Sequence, residues 1–243
     1  MNSRRQVLAV CGALFAAMLG AAGVRAADDR DFRQISKNFP AASLKSFRLD
    51  ARVGSVRVRA TNGNDVSLNL ELESRREDGW LWGRKGDVRN VELEADASGG
   101  ILRLSLKGER KGLNEKWVLQ VPARLAADIK MDVGDVDALG LAGGARIHVN
   151  VGDVNLDVPG GEIEAKVNVG EIKARTASDS YDDVVLETNV GDADLRVGNN
   201  RIRNDRRSYG PSDEARWRGT GRDRIRMEVN VGDASLVIAK ARV

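Results

Sequence analysis

The sequence predicts an all-β fold, a β-solenoid of stacked 18–21-residue rungs that turn at Gly-Asp corners. Three observations predict it. A short motif, VNVGDVNL at 149–156, nearly recurs as VNVGEIKA, TNVGDADL and VNVGDASL. Apolar and polar residues alternate on both sides of its glycine. The glycines themselves fall at intervals close to multiples of one length.

Six units can be numbered from their glycines: Gly54, Gly134, Gly152, Gly170, Gly191 and Gly232, with spacings of 80, 18, 18, 21 and 41. Positions −5, −3, −1, +2, +4 and +6 are apolar in 33 of 36 slots, the exceptions being Gly140, Thr176 and Thr188. In the third unit these slots are Ile147, Val149, Val151, Val154, Leu156 and Val158. The slots between them are polar in 28 of 30 cases, so each unit reads as two half-buried strands and not as a helix.

The phase shifts at the glycine, which predicts a two-residue turn with Val151 and Val154 on the same core. Glycine supplies positive φ without a Cβ clash, and aspartate can bond nearby backbone N–H groups. The corners expected are Gly134-Asp135, Gly152-Asp153, Gly170-Glu171, Gly191-Asp192 and Gly232-Asp233. A tight hairpin pairing Val151 with Val154 meets the same pattern. The constant period favours the solenoid, because each rung buries its core only by stacking on the next. A phosphate loop is excluded, since no helix follows the glycine.

The residues before the first unit read as an export signal. Arg4 and Arg5 precede an uncharged run, Val7–Val24, and Val24-Arg25-Ala26 forms a small-residue cleavage site. Ser3-Arg4-Arg5-Gln6-Val7-Leu8 resembles the twin-arginine motif. The alternatives are an uncleaved anchor and, from Cys11, a lipoprotein. Residues 27–43 read as a linker and 44–240 as a single β-repeat domain carrying an Arg-rich insertion at 199–223. The predicted location is the periplasm or the cell surface, with no transmembrane span after cleavage.

Cleavage near Ala26 removes three arginines and no acid, leaving 36 basic against 36 acidic side chains. A near-neutral chain of about 217 residues excludes a nucleic-acid footprint over the whole domain and can bury a core without disulfides.

The stretch LQVPARLAADIKMDVGDVDALGLAGGARIHVNVGDVNL (119–156) resembles the bacterial "putative adhesin" family, also called the toastrack domain, in its Val-Pro strand end and its successive Gly-Asp-Val strand pairs. Val53-Gly54-Ser55-Val56 fits that family's opening strands. The resemblance implies an exported, solenoid-like domain and carries over no catalytic residue.

Three features are candidates for function. The column Asp135, Asp153, Glu171, Asp192 and Asp233 would stack acids about 4.8 Å apart. Repulsion then demands backbone donors, interleaved cations or calcium. Turn aspartates are the expectation, with no metal and no cofactor. Asn150, Asn168, Asn189 and Asn230 at −2 would face outward as an amide ladder. The second feature, segment 199–226, holds nine arginines against four acids. There Arg206, Arg207, Arg216 and Arg218 are candidate contacts for an anionic glycan, a lipid headgroup or an acidic envelope protein. Trp80, Trp82 and Trp217 are candidate surface aromatic contacts. Catalysis has few parts: His148 is the only histidine and Cys11 the only cysteine. The reading is a non-enzymatic, adhesin-like binding or scaffold module, with a carbohydrate-active enzyme on a β-helix as the alternative.

Overall fold

The computed structural model describes residues 31–75, 86–177, 181–202 and 211–239. Arg4, Arg5, Cys11, Ala26, Trp80, Trp82, Arg206 and Arg207 lie outside the described residues. Among the described residues there is no α-helix. The strands are β1 (Phe32–Pro40), β2 (Ser46–Thr61), β3 (Asp65–Ser74), β4 (Val91–Ser98), β5 (Ile101–Gly108), β6 (Leu113–Pro122), β7 (Ala126–Leu139), β8 (Ala145–Val151) and β9 (Val154–Asp157). They continue as β10 (Ile163–Val169), β11 (Ile172–Thr176), β12 (Tyr181–Val190), β13 (Ala193–Val197), β14 (Asn200–Ile202), β15 (Asp213–Arg218), β16 (Asp223–Val231) and β17 (Ala234–Ile238). All belong to one sheet that wraps, nearly closed and barrel-like, around the core.

Two ladders share the glycines as their common border. Ahead of the glycines the neighbours run β4, β5, β2, β7, β8, β10, β16, β12, β15. Beyond them the order is β1, β3, β6, β2, β7, β9, β11, β17, β13, β14. The middle strands are parallel and the outermost pairs antiparallel. Val151 and Val154 are therefore not cross-strand partners: Val151 pairs with Val133 and Val169, and Val154 with Val136 and Ile172. β1 lies within the stretch read as a linker and pairs along its whole length with β3.

Chain order and spatial order part at the sixth unit. β16 and β17 insert between the fourth unit and the fifth, so the glycines run 54, 134, 152, 170, 232, 191 in space. The Arg-rich insertion supplies β14 and β15, which lie antiparallel on the outer edge of the fifth unit. Covering that edge removes a row of open backbone groups that would otherwise pair with another chain.

Five of the six apolar slots point inward as expected, and one does not. Positions −3 and +2 are buried in every unit, Val149 at 0% and Val154 at 1% exposure among them. Position −1 is different: Val133, Val151, Val169, Val190 and Val231 are 41–48% exposed. This corrects the expectation that Val151 faces the core with Val154. The alternation breaks at −2 and −1, so the corner is a four-residue outward turn, Asn-Val-Gly-Asp in its commonest form. The physical cause is crowding. Residues −3 and +2 already fill the angle where the two ladders meet, and the chain has left the core by −1.

The turn demands glycine for a second reason. Gly152 has φ of +139°, and a Cβ there would lie 2.0 Å from the Gly134 carbonyl oxygen. That approach is closed to any L side chain. The turn backbone is nonetheless paired, since Gly152 N–H donates to Val169 O at 2.9 Å and Val154 N–H to Glu171 O at 2.8 Å.

Candidate functional site

The corner strip is the feature in which the repeat becomes a surface. Each unit contributes one outward turn, and the parallel register stacks like on like. One line carries the valines Val133, Val151, Val169, Val231 and Val190 in spatial order. On one side runs the amide ladder. Asn168 Nδ2 donates to Asn150 Oδ1 at 2.6 Å, Asn230 Nδ2 to Asn168 Oδ1 at 2.7 Å, and Asn189 Nδ2 to Asn230 Oδ1 at 2.7 Å. On the other side, beyond the glycines, run Asp135, Asp153, Glu171, Asp233 and Asp192.

Three of the five acids, Asp135, Asp153 and Asp233, accept from backbone donors, the first of the remedies their spacing demands. Asp153 N–H donates to Asp135 Oδ1 at 3.3 Å, Glu171 N–H to Asp153 Oδ1 at 3.0 Å and Asp192 N–H to Asp233 Oδ1 at 2.9 Å. Asp135, Asp153 and Asp233 thus each serve the neighbouring unit through one oxygen. Lys173 also reaches Glu171 at 2.6 Å. Among the described residues no group of three or more His, Cys, Asp or Glu is placed to hold a metal.

Of the other candidates, Arg216, Trp217 and Arg218 follow one another on β15. Arg216 on β15 forms ion pairs with Glu214 and, at 3.6 Å, with Glu187, so its fork is already engaged by carboxylates. Arg218 sits opposite Asp183 in the β12–β15 register. Trp217 is half-buried and packs on the core rather than standing free as a surface aromatic. Arg206, Arg207, Trp80 and Trp82 lie outside the described residues.

Sequence reasoning missed Glu115. Its side chain is 1% exposed, and its backbone lies against Gly54 where the glycine column ends. Oε2 accepts from the Arg52 N–H at 3.1 Å and from Trp117 Nε1 at 3.0 Å. Oε1 stands 3.7 Å from the Arg110 guanidinium, beyond hydrogen-bond reach. Burial pushes the Glu115 carboxyl above its ordinary pKa, against the opposing pull of Trp117, Arg52 and Arg110. The signal available in sequence was a glutamate in an apolar-alternating slot of LNEKWVLQV, flanked two residues on by tryptophan.

No protein-family model and no curated protein matches the chain. Solved structures similar to it include a "putative cell adhesion protein" from Clostridium sporogenes, 12% identical over 86% of this chain and 99% of that one, with a TM-score of 0.49. A "putative adhesin" from Bacteroides fragilis is 14% identical, with 84% and 97% covered and a TM-score of 0.28. One from Parabacteroides distasonis is 9% identical, with 84% and 96% covered and a TM-score of 0.27. Their names are those that the 119–156 pattern implied, while TM-scores below 0.5 assign this chain no activity.

Proposed function

We propose that the chain is an exported module of the cell envelope that binds or scaffolds a partner without catalysis, built as a β-solenoid of 18–21-residue rungs. The parallel ladders and the 18-residue steps between Gly134, Gly152 and Gly170 support the architectural reading. The observation that carries the functional reading is the line of half-exposed valines. A contiguous apolar line held in register by backbone bonds, and bordered by polar ladders, marks an interaction surface rather than a scatter of single exposed residues. Export by the N-terminal signal, with cleavage near Ala26, supplies the compartment. No helix among the described residues is long and apolar enough to cross a membrane.

The test is fractionation. Chain recovered from the periplasm or cell surface is expected to start near Ala27 and to sediment with isolated envelope. Soluble cytoplasmic chain retaining Met1 would overturn the reading, as would failure to associate with envelope material.

A further inference from the structure

We propose that the corner strip receives a cationic amphipathic α-helix from an envelope partner, with apolar side chains on the valines and lysines or arginines on the acids. This rests on the binding-module reading above and names the partner's chemistry. Charge supplies the first argument. The valine line is flanked on one side by asparagines whose amides bond one another, and on the other by exposed acids at Asp135, Asp153 and Asp233. A partner that covers the valines must also meet that acidic row. A basic flank complements it, and an anionic lipid surface is repelled.

Spacing supplies the second argument. Neighbouring parallel strands lie about 4.8 Å apart, so the four steps between the five valines extend roughly 19 Å. One helical turn rises about 5.4 Å, and about 13 helical residues cover that length. A helix therefore sets about one apolar and one basic side chain against each unit. An extended strand repeats its face only every 6.6 to 6.8 Å or so and falls out of step within two or three units. The glycine column between valines and acids carries no side chain, so only backbone separates the apolar row from the acidic one. A second copy is a poorer occupant, because five half-exposed valines fall well short of the about 800 Å² per partner typical of stable complexes.

The test is fluorescence anisotropy with the purified full chain and a labelled 18-residue leucine–lysine peptide whose leucines follow helical spacing. A peptide of the same composition with scrambled leucines is the control. The ordered peptide is expected to bind at least tenfold more tightly. Val151→Thr with Val169→Thr, and separately Asp153→Asn with Glu171→Gln, should each weaken it at least fivefold at an unchanged melting temperature. Asp153→Asn keeps an oxygen for the Glu171 N–H and Glu171→Gln one for the Lys173 ammonium, so folding and binding separate. Equal affinity of the scrambled peptide, or indifference of either double variant, overturns the proposal. So does a wild-type dimer in sedimentation that the double valine variant dissolves, which would assign the strip to a second copy. Envelope association that persists while the ordered peptide fails to bind sinks the helix alone; loss of both sinks the module reading as well.

Discussion

Glu115 and Asp153 border the same column of glycines and live under opposite conditions. Asp153 stands in the exposed middle, where water solvates one oxygen and the Glu171 N–H satisfies the other. Glu115 lies at the closed end beside Gly54, shut from water, and must find every partner within the protein. The exposed acid is a replaceable turn group. The buried one is structural, since Trp117 Nε1 has its acceptor there. Valines repeat the lesson two residues apart: Val149 is sealed in the core while Val151 is out in solvent. Access to water, and not residue type, sets what each side chain contributes.

The largest expected effect tests the inside against the outside of the corner. Val149→Asp buries an unpaired charge and should cost about 4 kcal/mol or more, whereas Val151→Asp should stay within about 1 kcal/mol. Denaturant midpoints measure both, and equal shifts would break the inward/outward assignment. Next comes the closed end. Glu115→Ala strands the buried Trp117 Nε1–H, an expected loss of about 1–3 kcal/mol, against about 0.5–1.5 kcal/mol for Asp153→Ala, which releases one exposed bond. If Asp153→Ala proved the costlier, the contrast would fail.

A third expectation sharpens it through pH. Glu115 titrates above its ordinary value of 4.5 in the folded chain. Between that value and its folded pKa the native state therefore binds more protons than the unfolded state, and its contribution to stability falls as pH rises. Glu115→Gln should remove that decline. A variant with the same pH slope as wild type over this window would show that another group governs it. The smallest effect concerns the exposed acids. With backbone donors already in place, about millimolar calcium should move the melting temperature by under about 1 °C. Occupancy a hundredfold above Kd would instead add about 2.7 kcal/mol, or roughly 5–10 °C at this size.

Much of this was legible because it is local. Alternation of period two, read on Ile147, Val149, Val154 and Leu156, depends only on a strand having one wet and one dry face, and the structure buries all four. The glycine and acid positions were legible for the same reason. Val151 was misplaced because period two says nothing of where the core ends, and its alternation ran one residue past that point. Glu115 was passed over because a carboxylate in an apolar slot is intelligible only once Trp117, the Arg52 backbone and Arg110 surround it.

The sequence by itself determined the strands, the inward slots away from the turn and the glycines on which the chain turns, since each follows from the conformational freedom of glycine and the segregation of apolar side chains within a few residues. The order of the units was decided only in three dimensions. The inward slots of the units are nearly all apolar, so their alternation alone names no neighbour. The outward faces of this arrangement match instead. Arg48, Asp128, Arg146, Glu164 and Arg226 alternate in sign across five adjacent strands, with Arg48–Asp128 at 2.7 Å and Arg146–Glu164 at 2.8 Å. The Arg146 hydrogen bond holds the Glu164 carboxyl below the ordinary range. Lys166 meets Glu228 at 3.3 Å, and Asn168 bonds Asn230, where the sixth unit enters beside the fourth. Pairs at the surface contribute little singly, but they discriminate among neighbours that the alternation treats alike. They join residues up to 80 positions apart, which no local pattern reports.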